Sequence, residues 1–267
     1  MNTPPSVPYR VVGLGRAGRS LVAALEGTNW EFAGGYGRHD DPTNAADGVD
    51  AVIVSVPDDA IADTARIITP TSAVLIHLSG AKTLDALAPH ERRASVHPLM
   101  SLPDPETGAA RLRAGATFAV AGDRLATELV AALNGRAIKV DERYRSLYHA
   151  GAAVAANHLV VLCAQVERIA ERIGVPVELY WELMASTLSN VEQIGALRAL
   201  TGPAARGDTE TIEAHVRALA EIGSSEIELY RVLADNATEL GRTGGRANGP
   251  DDKPPLEFRA GQGRVDG

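Results

Sequence analysis

The sequence predicts an α/β chain: a doubly wound, mostly parallel sheet followed by an all-helical C-terminal domain. Three observations carry that expectation. Short β-rich runs alternate with helical stretches through the first half, as a parallel sheet covered by helices requires. One run, residues 51–56 (AVIVSV), is continuously apolar, the pattern of a strand buried on both faces. Near Asp141 the alternation stops, and Ala- and Leu-rich segments of helical length take over.

Taken in order, residues 9–14 form an apolar run that ends at glycine. Residues 16–26 show helical spacing, with Leu21, Ala24 and Leu25 on one face. Residues 31–36 read as a second strand and 51–56 as a third. Further strands are expected at 73–78, 94–97 and 117–121, with helices at 59–68 and 123–133 between them. Residues 142–173 contain no proline and only Gly151, so they read as one long helix stopped at Gly174, with Pro176 opening the next. Three more helices are expected at 177–200, 209–222 and 225–240, the second of them N-capped by Asp208. The expected organisation is a nucleotide-binding domain at 8–140 and a helical substrate and dimerisation domain at 141–241. A disordered tail is expected at 242–267, where Gly, Pro, Arg and Asp dominate.

Composition narrows the function. The chain has 267 residues, 45% apolar and 22% charged, as in soluble globular proteins. A net charge of −8 disfavours a nucleic-acid partner. The single cysteine, Cys163, excludes an intramolecular disulfide and any multi-cysteine zinc site, and no metal site is expected. No apolar run of about 18 residues stands out, so no membrane partner is expected. The first eight residues are polar and proline-rich, without a secretory h-region, which points to the cytoplasm.

Gly13-Leu14-Gly15-Arg16-Ala17-Gly18 fits GxGxxG between a strand and an amphipathic helix, the context the pattern needs. Gly13 permits the tight turn, Gly15 the approach of a pyrophosphate, and Gly18 the packing of helix on strand. The helix N-terminus adds unpaired amides and partial positive charge. The second strand ends Gly35-Tyr36-Gly37-Arg38-His39, with no acid to hold a free ribose hydroxyl. Arg38, with His39 beside it, favours the 2′-phosphate of NADP, although Asp40 and Asp41 offer Arg38 ordinary surface partners. Ser55-Val56-Pro57-Asp58 ends the AVIVSV strand, at the carboxyl edge where such sheets bind ligands. Pro57 and Asp58 suit a helix start equally well.

The motifs GLGRAG, VSVPDDAI, HLSGA, VHPLMS, YHAGAAVAANHLV and LTGPAARGD occur in this order over about residues 8–240. Together they resemble a family of Rossmann-type oxidoreductase-like proteins whose C-terminal half is catalogued as domain of unknown function 2520. That family is distantly similar to pyrroline-carboxylate reductases and 6-phosphogluconate dehydrogenase-like enzymes. The resemblance implies a nicotinamide-binding first domain and a helical second domain of the dimerising dehydrogenase type. It names no settled substrate; relatives near pantothenate-synthesis genes suggest ketopantoate.

Nicotinamide chemistry asks the protein for orientation, a proton carrier and a substrate anchor. His97 ends a strand at the ligand edge, and His97-Pro98 resembles the histidine-proline motif of prephenate dehydrogenases, with Ser79 resembling the serine beside that histidine. A strand cap and a Ser-Gly turn are the plainer readings. On the long helix, His149 and Asn157 lie eight residues apart, about 80° around the axis. Related dehydrogenases carry a lysine four residues before the asparagine, where this chain has Ala153. His149 is then the candidate acid and Asn157 the orienting group, unless His149 merely packs with Tyr148 at a contact. Arg206, in a linker at 201–208, is a candidate clamp for a substrate carboxylate. His77 reads as a core histidine, and His90 and His215 as exposed helix positions. The expected activity is NADP(H)-dependent reduction of a small carbonyl or imine, such as the 2-oxo acid ketopantoate, by a homodimer. The alternative is a non-catalytic NADP-binding protein with a redox-responsive or regulatory role.

Overall fold

The computed structural model describes residues 5–244. The chain divides into two compact units, one running to Val160 and the other from Val161 onward.

The first unit is a seven-stranded sheet covered by helices. Its strands are β1 (Val7–Val12), β2 (Trp30–Tyr36), β3 (Ala51–Val54), β4 (Val74–His77), β5 (Arg93–Pro98), β6 (Thr117–Gly122) and β7 (Arg136–Lys139). The spatial order is β2-β1-β3-β4-β5-β6-β7, and every pair is parallel except β5 with β6. Helices α1 (Arg16–Leu25), α2 (Ile61–Ile67), α3 (Pro105–Arg113) and α4 (Leu125–Ala132) connect them. The AVIVSV run is apolar throughout because both faces of β3 are covered. Ala51 and Ile53 enter one core with Leu21 and Leu25 of α1 and Leu129 of α4. Val52 and Val54 enter the other with Ile61 and Ala65 of α2. Strand order reverses beside β1, whose neighbours are β2 and β3. That switch point opens a crevice at the carboxyl ends of β1 and β3.

Three differences from expectation have local causes. Helix α3 and strand β7 were not foreseen, because neither carries a strong apolar period: β7 is Arg-Ala-Ile-Lys and largely exposed. Asp104 caps α3 by accepting from the Thr107 amide, and Pro105 opens it. The stretch Glu142–Ile173 is helical throughout but not uniform. A short 3₁₀ turn leads into α5 (Arg145–Ala153), a π-helical turn follows at Val154–His158, and α6 (Leu159–Ile173) completes it. This helix also corrects the absence of a membrane-length run, since by length and composition it is long and apolar enough to cross a membrane, with mean hydropathy 1.4. The cause is that residues 147–166 contain no Asp, Glu, Lys or Arg, although polar residues interrupt the apolar ones.

The second unit is all-helical: the remainder of α6, then α7 (Glu178–Ile194), α8 (Ala196–Ala199), α9 (Gly202–Arg206), α10 (Thr209–Leu219) and α11 (Ser224–Gly244). The single helix expected at 177–200 breaks at Gly195, whose φ of 80° ends α7. Residues 201–208, expected as a linker, contain α9, closed by Gly207 in the left-handed conformation. Asp208 caps α10 through the Thr211 amide, as expected. Arg168 of α6 pairs with the buried Glu226 of α11, which holds that carboxyl below its usual range. Helix α11 continues to Gly244, past the expected start of the tail. The remainder of the expected tail, residues 245–267, lies outside the described residues.

Candidate active site

The turn after β1 meets the demands of the glycine pattern. Gly13 has φ of 100°, and a Cβ there would lie 2.4 Å from the Ser55 carbonyl oxygen. A Cβ on Gly18 would lie 2.3 Å from the Gly13 oxygen. A Cβ on Gly15 would meet nothing within 4 Å, so that backbone faces open space. Gly15, Arg16, Ala17, Ser55, Val56, Pro57 and Asp58 line a cavity of about 650 Å³, together with Ser79 and Asn157. Its volume and the free amides at the start of α1 suit a dinucleotide. Leu14 packs over Gly35 of β2 and leans on the core.

At the end of β2, Arg38 and His39 are exposed. The surface partners foreseen for Arg38 are engaged elsewhere: Asp40 accepts from the Gly37 amide at 2.7 Å, and Asp41 accepts from Thr43. Among the described residues Arg38 enters no ion pair. The Asp40 carboxylate does return to the strand end, through a turn that linear spacing did not show.

Beyond the cavity, a polar cluster unites β3, β4, β5 and α5. Ser79, just past β4, donates to Asp58 Oδ2 at 2.6 Å and accepts from the Ala81 and Lys82 amides. His97 Nδ1 lies 2.9 Å from the Tyr148 hydroxyl. The His97 ring stands edge-on to both Tyr148 and His149, with centroids 5.5 Å away in each case. A Cβ on Gly80 would lie 2.6 Å from His149 Nδ1 and 2.9 Å from His97 Nε2, so both imidazoles converge on a residue that must lack a side chain. Burial, then His149 and Arg145, hold the His97 pKa at about 4. Burial and Arg145 do the same to His77, which is fully buried with neither ring nitrogen hydrogen-bonded.

The first unit therefore brings together Ser55, Asp58, Ser79, His97, His149 and Asn157. Asn157 reaches the cavity from the π-helical turn, a register that the 80° estimate for a regular helix did not contain. Arg206 belongs to the second unit, where it ends α9 and is exposed. His90 is buried, not exposed, and its Nε2 meets the Ala65 carbonyl at 2.9 Å. His215 is exposed on α10 as expected. Sequence reasoning missed Arg145, which is 1% exposed and donates to the Ser79 carbonyl and Ser95 Oγ at 2.8 Å each. An arginine in a polar stretch, with Arg143 two residues before it, carries no sequence signal of burial. Gly80 was passed over as half of a Ser-Gly turn.

Comparison with known proteins agrees with this architecture. The family model described as "Domain of unknown function (DUF2520)" matches residues 117–237, so the matched region begins at β6 inside the first unit. No curated protein matches the chain. Among solved structures, one described as a candidate NADP oxidoreductase from Bacteroides fragilis has 19% identity and a TM-score of 0.73, covering 88% of this chain and 98% of its own. An imine reductase from Streptomyces aurantiacus has 16% identity and a TM-score of 0.62, covering 89% and 95%. Pyrroline carboxylate reductase from Plasmodium falciparum, solved with NADP bound, has 12% identity and a TM-score of 0.55, covering 88% and 98%. The Rossmann-type fold with its helical C-terminal region is shared with all three. The expected resemblance to the family with domain of unknown function 2520 is met by the family model and by this fold.

Proposed function

We propose that this chain is an NADP(H)-dependent oxidoreductase that reduces a small carbonyl or imine substrate, with 2-oxo acids such as ketopantoate as the first class to test. The carrying observation is the cavity at the β1/β3 switch point, lined by Ser79, the residue next to Gly80, where His97 and His149 converge. The residues fit a dinucleotide: Gly13 and Gly18 admit no side chain, and Gly15 leaves the space a pyrophosphate needs. Arg16 and the α1 amides would hold the pyrophosphate, and Arg38 with His39 the 2′-phosphate. A reduced nicotinamide bound there supplies hydride. Asp58 fixes the Ser79 hydroxyl, Asn157 orients the substrate or the nicotinamide amide, and the histidine pair handles the proton at the substrate oxygen or nitrogen. Arg206 remains a candidate carboxylate clamp.

The names of two structural neighbours, pyrroline carboxylate reductase with NADP bound and imine reductase, support the class. The test is NADPH consumption against 2-oxo acids and cyclic imines. Turnover with one member establishes the reading. Micromolar NADPH binding without turnover favours the redox-responsive or regulatory alternative, and no binding of either nucleotide defeats both. Arg38→Ala should weaken NADPH by roughly tenfold or more, the effect of losing one charge-assisted contact, and leave NADH nearly unchanged. Equal losses would remove Arg38 from the site.

The proposed assembly is a cytoplasmic homodimer. The apolar stretch of α5 and α6 stands exposed, yet Tyr148 and His149 at its start are tied to His97, an arrangement at odds with a helix threaded through lipid. Light scattering at micromolar concentration should return twice the chain mass; a monomer refutes the assembly.

A further inference from the structure

We propose that His97 passes on its proton as a neutral imidazole and is refilled by Tyr148, with Arg145 as the buried cation that stabilises the phenolate left behind. This rests on the reductase reading above and assigns that site's proton supply. The geometry is a line of groups. Tyr148 Oη meets His97 Nδ1 at 2.9 Å, and the remaining nitrogen, Nε2, is free of that bond and lies, like His149 Nδ1, beside the Gly80 backbone, 2.9 Å from where a Cβ would stand. Arg145 sits three residues before Tyr148 on α5, one helical turn away. Its bonds go to the neutral Ser79 carbonyl and Ser95 hydroxyl, and among the described residues it enters no ion pair. Glu142 acts on it through space without bonding to it, so the buried guanidinium has no bonded carboxylate, and an anion formed at Tyr148 lowers the cost of its burial.

Tyr148 is hydrogen-bonded to His97, and four further titratable or charged groups face it. His77 approaches from β4, His149 and Arg145 from α5, and Asp58 from beyond β3. Asp58 favours an imidazolium, but its carboxylate already accepts a hydrogen bond from the Ser79 hydroxyl, and burial, His149 and Arg145 outweigh it. The imidazole is therefore neutral at pH 7. Burial raises the Tyr148 pKa while Arg145 pulls it down, so the phenol keeps its proton at the same pH.

The transfer balances. Hydride reduces the carbonyl carbon, the carbonyl π bond becomes an oxygen lone pair, and that oxygen takes the proton of His97 Nε2. As the Nε2–H bond breaks, Nδ1 takes the Tyr148 proton. The imidazole ends neutral in its other tautomer, the phenolate faces Arg145, and water then returns a proton to restore both groups. A neutral imidazole is too weak an acid to act alone, which is why the second donor is needed.

The decisive measurement needs neither cofactor nor substrate. In ¹⁵N-histidine-labelled full-length protein, two-bond ¹H–¹⁵N spectra at pH 7, assigned against His97→Gln, should show His97 neutral, protonated at Nε2 and accepting at Nδ1. Tyr148→Phe should move the Nδ1 resonance toward an unbonded nitrogen. The same variant should lower kcat by about 10²-fold with KM within a few-fold. Wild-type kcat should be flat from about pH 5.5 to 9, without the loss toward high pH that an imidazolium acid gives. A His97 imidazolium, or an Nδ1–H tautomer donating to the tyrosine oxygen, overturns the relay even if turnover is robust. That result is read from the wild-type protein, so it stands whether or not Tyr148→Phe folds. An Nε2–H tautomer in a protein that binds no nicotinamide nucleotide overturns the reductase reading, and the relay with it.

Discussion

The two units handle their apolar side chains in opposite ways. In the first, Ile53, Leu75 and Ile76 are completely buried, because helices cover both faces of the sheet. In the second, Leu179, Leu183, Leu188 and Val232 are each more than half exposed. A sheet between helical layers closes its own core. A few helices in about 80 described residues leave apolar faces over, and those need another layer. The helical unit is thus an incomplete core, which is the physical argument for a second copy of the chain.

Substitutions should separate the two kinds of apolar residue. The largest effect is expected for Ile76→Ala on β4, where a large side chain disappears from a sealed core. It should destabilise by about 2–5 kcal/mol in urea unfolding. A loss below about 1 kcal/mol would mean that the first unit is as loosely covered as the second.

Acid should come next and should also act on the first unit. His77 is held near 4 against an ordinary 6.5, chiefly by burial and then by Arg145. Between those values the unfolded chain binds a proton that the folded chain refuses. Stability is therefore complete above about pH 6.5 and is lost as pH falls toward 4, by up to roughly 3 kcal/mol. His77→Leu should remove its share of that slope, leaving the share of His97, when the urea midpoint is followed from pH 7 to 4.5. Parallel curves for wild type and variant would show that His77 is not the group responsible.

The smallest change in stability is expected for Leu183→Ala on α7, within about 0.5 kcal/mol in a dilute, dissociated sample. Its consequence should appear in assembly instead, as at least a tenfold weaker self-association by analytical ultracentrifugation. Unchanged association would place the covered face elsewhere on the helical unit.

The same contrast explains which parts were legible. The glycine turn was, because its glycines, its strand and its helix are contiguous in the chain, Gly13 takes a φ of 100° and Gly18 packs on the Gly13 carbonyl. The two-sided core of β3 was legible from AVIVSV for the same reason. Strand β7 was not, since a charged edge strand lacks the alternation that marks burial. The polar cluster was half legible. His97 and His149 stood out as histidines at a sheet edge and on a long helix, yet nothing in the linear order joined them. Arg145 and Gly80 stayed invisible because their meaning lies in neighbours on other elements, far beyond any local pattern.

What the sequence determined by itself is local. Periodicity set the strands and helices, Gly13 and Gly18 set the turn, and Asp208 set a helix start, because each depends on residues a few positions apart. What only the tertiary structure decided is the meeting of distant groups. The His97–Tyr148 bond, the convergence of two imidazoles on Gly80, the burial of Arg145 and the burial of His90 depend on how β4, β5 and α5 pack. The environments that press His77 and His97 to about 4 come from the same packing, since burial and an unpaired guanidinium act through space and leave no pattern along the chain.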